Sequence, residues 1–292
     1  MNQIISFSLY GSAPRYCEGA LRNLLLAEEV YPGWRCRFYV DGTVPQRYLR
    51  ALGAWGAEIV AIADVKGPAH GLFWRFLVAG DPRVDRFLVR DADSRVNLRE
   101  RAAVDEWLAS GKSFHLMRDH PVHRMPILGG MWGGLGGRLS DMPALIDRWG
   151  KFDRWGRDQE FLREMILPRI NGDYLCHDSA AVFPDAKPFP PHLPLVGSSF
   201  VGAIVSVDRA RIEDWELLLG LARALAPERR RELIQLAKSL MIADEESARL
   251  AQRLAAKRRG WPARIWALRG RLPSSFSIRA RLARLSPSKD RG

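Results

Sequence analysis

Short apolar runs alternate with helix-patterned stretches through the first two hundred residues, and this alternation constrains the fold more than any single motif. Ile4–Leu9, Arg35–Val40, Glu58–Ile62 and Arg86–Val89 read as strands. Between them lie a helix from about Arg15 to Val30, stopped by Pro32-Gly33, and a second that Pro45 opens and that runs to about Trp55. Leu72–Val78 also reads as helical. Strands separated by helices at these lengths predict an α/β protein, its mostly parallel sheet covered by helices on both faces.

After residue 95 the pattern loosens. A helix near Glu100–Ser110 precedes a strand at Phe114–Met117, and the glycine-rich run Ile127–Gly137 reads as a flexible hairpin. Asp158–Met165 is helical, and Asp173–Cys176 is a short strand ending at His177. Five prolines between Phe183 and Pro194 predict an extended surface loop, and Phe200–Val205 is a last apolar run. Helical patterns then occupy Ile212–Leu225, a segment opened by Pro227, and Asp244–Arg258. With 292 residues the expected organisation is one large α/β domain over 1–207 and a helical, basic C-terminal region over 208–292, partly disordered at its end.

Charge separates the same two regions. From Ser247 to Gly292 thirteen Lys and Arg face a single acid, Asp290, so the whole net charge of +12 sits in the tail. Nucleic acid, anionic lipid or an acidic partner are the usual counterparts of such a segment. No RNP, helix-turn-helix or zinc-finger pattern accompanies it, which argues against specific nucleic-acid recognition. Ile278, Leu282 and Leu285 share a helix face flanked by Arg279, Arg281 and Arg284, and Trp261 and Trp266 suit a membrane interface. The expected setting is cytoplasmic, peripheral at the inner face of an anionic membrane. The N-terminus reads as a strand rather than a signal peptide, and no apolar stretch is long enough to span a bilayer. Three widely spaced cysteines without a CxxC pair argue against a disulfide framework or structural zinc.

The residues that carry chemistry begin with Asp91-Ala92-Asp93. Open α/β sheets bind ligands beyond the C-terminal ends of their strands, where this pair follows Arg86–Val89. Two hard oxygen ligands suit Mg²⁺ or Mn²⁺, and through it a nucleotide diphosphate. The bland alternative is two solvated loop aspartates. Asp158 is either a helix N-cap or a site carboxylate, and His177 either an ordinary loop residue or a ligand. Gly129–Gly137 lacks a phosphate-loop signature, leaving Gly129 and Gly130 as places where backbone approaches a sugar. His115, His120 and His123 are too irregularly spaced for a metal triad, and Arg118-Asp119-His120 reads as lining the acceptor side of a cleft.

In order, Phe73-Trp74-Arg75-Phe76-Leu77, the strand into Asp91-Ala92-Asp93, Leu128-Gly129-Gly130-Met131, Arg157-Asp158-Gln159-Glu160 and His177 resemble the GT-A class of glycosyltransferases, family eight most closely. The resemblance covers roughly residues 3–205. Leu128 stands where that family has asparagine, and its histidine–glycine–lysine–proline–tryptophan ending is absent, His177-Asp178-Ser179 leading instead to Lys187-Pro188. The resemblance implies a GT-A-like fold and retaining transfer of a sugar from a nucleotide-diphosphate sugar, a UDP-sugar first among them, to a glycan or lipid-linked hydroxyl in envelope polysaccharide synthesis. It further implies Mn²⁺ or Mg²⁺ held by Asp91, Asp93 and His177, with Arg75 near the phosphates. Tyr10 or Tyr16 would stack on the base, while Asp158, Gln159 and the Gly129-Gly130 backbone would hold the sugar, Asp158 and Gln159 as catalytic residues. A sugar nucleotidyltransferase is the second expectation, although Gly11-Ser12-Ala13-Pro14-Arg15 lacks that class's usual lysine. A basic-tailed nucleic-acid or partner-binding protein is the third.

Overall fold

The computed structural model describes residues 1–179, 186–190 and 200–205. Within these, the strands β1 (Gln3–Leu9), β2 (Arg35–Val40), β3 (Glu58–Ala61), β4 (Arg86–Val89), β5 (Phe114–Arg118), β6 (Trp132–Leu135) and β7 (Tyr174–Asp178) form one sheet. Their order is β3-β2-β1-β4-β6-β5-β7. Every pairing is parallel except those of β6, which runs antiparallel to both β4 and β5. The helices are α1 (Pro14–Val30), α2 (Gln46–Ala54), α3 (Leu98–Ala109), α4 (Met142–Trp149), α5 (Arg157–Phe161) and α6 (Leu167–Ile170), with a π-helical turn at Leu162–Ile166 joining the last two. The mostly parallel α/β architecture is the one the alternation predicts.

Side chains alternate across a strand, and β1 uses both of its faces. Phe7 stacks on Phe38 of β2, ring centroids 4.9 Å apart, on the face that α1 covers. Ile4, Ser6 and Ser8 turn to the other face, against residues 70–80. There Phe73, Phe76, Phe87, Trp132 and Phe161 form an aromatic core, with Phe87–Trp132 edge-to-face at 5.2 Å and Phe76–Phe161 stacked at 6.1 Å. Such pairs each add about 1 kcal/mol beyond the area they bury. This core fixes the elements carrying Arg75 and Asp158 against the sheet.

Two local expectations are corrected. Leu72–Val78 forms two 3-10 turns, His70–Leu72 and Trp74–Gly80, rather than an α-helix. Both backbone groups of Arg75 are taken by β1: its N–H donates to Ser8 Oγ at 2.9 Å, and its carbonyl accepts from Ser6 Oγ at 2.7 Å. Those bonds compete with an α-helical ladder. The glycine run is no flexible hairpin either, since residues 132–135 are a central strand. A Cβ on Gly133 would lie 2.6 Å from the Phe87 carbonyl oxygen and one on Gly134 2.7 Å from Phe114 Cδ1, so only glycine lets β6 pass between those neighbours. The apolar run Phe200–Val205 contains a turn, with Val205 N–H donating to the Asp93 carbonyl at 2.9 Å.

The helical patterns from Ile212 onward, the basic tail, the proposed 207/208 boundary and most of the proline-rich stretch lie outside the described residues. Among the described residues, no helix is long and apolar enough to cross a membrane.

Candidate active site

Arg75 is the hub. Buried on the 3-10 turn, it donates through Nε to the Gly129 carbonyl at 3.1 Å, pairs through Nη1 with Asp91 Oδ1 at 2.8 Å, and through Nη2 with Asp158 Oδ2 at 2.8 Å. One guanidinium thus ties together the end of β4, the loop before β6 and the first turn of α5. Asp91 stays partly open to solvent, whereas Arg75 and Asp158 are nearly closed off.

The glycines make this convergence sterically feasible. A Cβ on Gly129 would sit 2.5 Å from Arg75 Nη2 and 2.6 Å from Asp158 Oδ2, and one on Gly130 would sit 2.0 Å from Asp91 Oδ2. Their backbone lies directly against the site carboxylates, which is a physical reason for Gly-Gly here.

Asp158 is not the cap of α5. Gly156, at φ 88°, occupies that position, and the carboxylate turns inward to Arg75. Burial raises its pKa, with the Arg75 charge opposing and the Asp91 charge adding to the rise. Asp93 is also raised, by burial first and then by repulsion from Asp91, with Arg15 opposing. Acidic groups crowded into a poorly solvated cleft with cations between them are the electrostatic mark of a functional site. Gln159, half-buried, follows Asp158 on the same turn and donates its N–H to the Gly156 carbonyl at 3.2 Å.

Tyr10 emerges from the end of β1 beside this cluster. Its ring meets Trp74 edge-to-face at 5.6 Å, and a Cβ on Gly71 would strike it at 2.5 Å. Burial pushes its phenol up to about 12 against the nearby Arg75 charge. Tyr16 lies half-buried in the first turns of α1 with the Arg15 guanidinium 4.7 Å over its ring.

His177 does not join Asp91 and Asp93. It is fully buried on β7, with Nδ1 2.9 Å from His115 Nε2 and Nε2 3.1 Å from Glu106 Oε2, so both ring nitrogens are committed. The sequence reading of His177 as a metal ligand is corrected: β7 is the sheet's edge strand, beyond β6 and β5 from β4. Among the described residues, no three His, Cys, Asp or Glu side chains gather as a metal cage. Arg118 and Asp119 are likewise internal. Arg118 pairs with Asp178 at 3.0 Å, and Asp119 is held by Arg99 at 2.9 and 2.8 Å and by the Val201 N–H at 2.9 Å. His120, the third of that tripeptide, stacks on Phe200 at 4.1 Å.

The sequence reading missed a stripe on α1. Arg15, Gly19 and Asn23 recur at i, i+4 and i+8, and all three grip the turn after β4. Arg15 Nη2 lies 3.0 Å from Asp93 Oδ2, Asn23 Nδ2 donates to the Ser94 carbonyl at 2.8 Å, and Asn23 Oδ1 accepts from Val96 N–H at 3.0 Å. A Cβ on Gly19 would fall 2.0 Å from the Ala92 carbonyl oxygen. Polar and small residues recurring at that helical period were the available signal.

Fold and site together define an α/β protein that assembles three carboxylates and two guanidiniums around strand ends β1 and β4. No protein-family model matches the chain, and no curated protein matches it. Among solved structures it is similar to the galactosyltransferase LgtC in complex with donor and acceptor sugar analogs, at TM-score 0.48 and 13% identity over 79% of this chain and 99% of that one. A glycosyltransferase involved in glycosylation of the major capsid of PBCV-1 matches at TM-score 0.37 and 18% identity, over 61% of this chain and 82% of its own. A cytidylyltransferase from Leptospira borgpetersenii matches at TM-score 0.35 and 13% identity, over 82% and 93%. Overlaps this partial assign no activity to the chain.

Proposed function

We propose that the chain is a glycosyltransferase that moves a sugar from a nucleotide-diphosphate sugar to an acceptor hydroxyl. The observation that carries this reading is the convergence of Asp91, Asp158 and the Gly129 carbonyl on the single buried Arg75. These are the ordered motifs whose sequence spacing resembles family eight of the GT-A class, and they lie together although up to 83 residues apart.

In this reading Asp91 and Asp93 face the diphosphate, and Asp158 with Gln159 faces the transferred sugar. The donor set fits a divalent cation: Mg²⁺ in phosphate sites takes one or two protein carboxylates and fills its remaining positions with phosphate oxygens and water. Such a cation, when bound, supplies Lewis-acid stabilisation of the departing diphosphate. Arg75 holds Asp91 and Asp158 in fixed orientation and brings positive charge under the phosphates. Asp158, ionised against Arg75 in a nearly dry pocket, stabilises positive charge growing at the anomeric carbon. Tyr10, at the mouth of the same cleft, offers a ring to the base. Retention of configuration, a UDP-sugar donor, a glycan or lipid-linked acceptor, and a peripheral cytoplasmic location complete the proposal.

The test is incubation of the full chain in Mn²⁺ with either a panel of UDP-sugars or a nucleoside triphosphate and a sugar phosphate, assaying nucleoside diphosphate and pyrophosphate separately. Release of nucleoside diphosphate supports sugar transfer or donor hydrolysis. Pyrophosphate formation from a nucleoside triphosphate and a sugar phosphate would instead make the chain a nucleotidyltransferase, and neither product would overturn both readings.

A further inference from the structure

Arg15 sits oddly for a helix start. The first turn of α1 opens with Pro14, has no side-chain cap and contains no acid, so a cation there meets the positive end of the helix dipole. Asp93 offsets that cost. The pairing is one-sided, because Arg15 Nη2 serves both Asp93 Oδ2, at 3.0 Å, and the Tyr16 hydroxyl, while Nε and Nη1 have no partner among the described residues. Arg75 differs in kind, with all three of its nitrogens spent and 7% of its side chain exposed against 38% for Arg15.

We propose that Arg15 is a diphosphate-binding residue that neutralises Asp93 in the donor-free protein and passes to the phosphates when a cation takes the carboxylate. The inference rests on the glycosyltransferase reading of the site. Three carboxylates against two guanidiniums leave one net negative charge around the cleft. While Arg15 stays on Asp93, an entering cation finds that carboxylate already paired. Once Arg15 leaves, the cation gains a full ligand and the guanidinium gains a bidentate anion, which its planar fork suits better than a single carboxylate oxygen. Gly19 and Asn23 hold the turn against α1 throughout, so the exchange needs a rotamer change and no movement of the helix. Cation and diphosphate therefore bind cooperatively, because the cation frees Arg15 for the diphosphate and the diphosphate frees Asp93 for the cation.

The experiment compares the full chain with Arg15→Gln and Arg15→Lys, reading Mn²⁺ affinity by electron paramagnetic resonance and UDP affinity by calorimetry. The expected result is a crossing. Arg15→Gln should bind Mn²⁺ alone about threefold tighter or more, yet bind UDP in saturating Mn²⁺ about tenfold more weakly. Arg15→Lys, keeping the charge without the fork, should fall between. Changes in the same direction, or an unchanged UDP affinity in Arg15→Gln with its melting temperature intact, would overturn the exchange. Failure of the unaltered chain to bind UDP with Mn²⁺ would instead remove the donor reading on which it rests.

Discussion

Single atoms decide the site. A Cβ on Gly130 would lie 2.0 Å from Asp91 Oδ2, so Gly130→Ala must displace that carboxylate or its own backbone. The expected outcome is a loss of UDP affinity in Mn²⁺ of about tenfold or more, some 1.4 kcal/mol, measured by calorimetry. Gly137→Ala is the contrast: at φ 76° with nothing within 4 Å of a Cβ, it strains only its own turn. It should cost about 1 kcal/mol of stability and leave UDP binding unchanged. Asp158→Asn separates charge from shape. Because Gly156 caps α5, the helix does not need the carboxylate, and stabilisation of the reacting carbon does. Turnover should drop about a hundredfold, near 3 kcal/mol of barrier, with UDP binding within about threefold. Unchanged turnover would confine Asp158 to positioning Arg75. Of these residues, Arg75, Asp91, Asp158 and the glycine pair were legible as ordered motifs. Arg15 and Asn23 were not, since a polar residue on a helix does not reveal in one dimension which turn it will touch.

Elements were legible where a periodicity had one physical cause. β1, β2 and β4 read as strands because their short, largely apolar runs fall between helix-patterned stretches, and nearly all of their residues are buried. β6 was hidden because its sequence, Trp-Gly-Gly-Leu, lacks the side chains that normally signal a strand; the bulk is supplied by Phe87 and Phe114 on either side. The 70–80 segment was misread because both backbone groups of Arg75 go to the hydroxyls of Ser6 and Ser8, sixty-odd residues earlier. The β5–β7 pair carries its own prediction. Burial holds His115 well below its ordinary pKa of 6.5, His177 and Arg90 adding to the effect, while His177 is lowered by burial against the opposing pull of Glu106. A base with a depressed folded pKa binds its proton more readily in the unfolded chain. The stability this pair contributes is therefore present above about pH 6.5 and declines as the pH falls below it. His115→Phe, which keeps a ring against Trp107, should lower the melting temperature at neutral pH yet flatten its fall between about pH 7 and pH 5. An unaltered slope would place the acid sensitivity elsewhere.

At the scale of the whole chain, charge is segregated: the first 246 residues are balanced, and the excess of twelve positive charges follows them. With roughly 1 kcal/mol for each Lys or Arg near an anionic bilayer, half of the thirteen would suffice for reversible attachment. The full chain should therefore sediment with vesicles containing phosphatidylserine, not with phosphatidylcholine alone, and should be released as salt rises. Pelleting indifferent to lipid charge would remove the membrane from the proposal. The hub at Arg75 has a further consequence, in time rather than space. Its partner Asp158 lies 83 residues along the chain, so no short segment can hold the whole site. Closing loops of that length is entropically costly and is deferred until the strands between are paired. In refolding from denaturant, recognition of a fluorescent nucleoside diphosphate should consequently return with the slowest phase rather than with the first recovery of helix signal. The protein would be visibly structured before it could recognise anything.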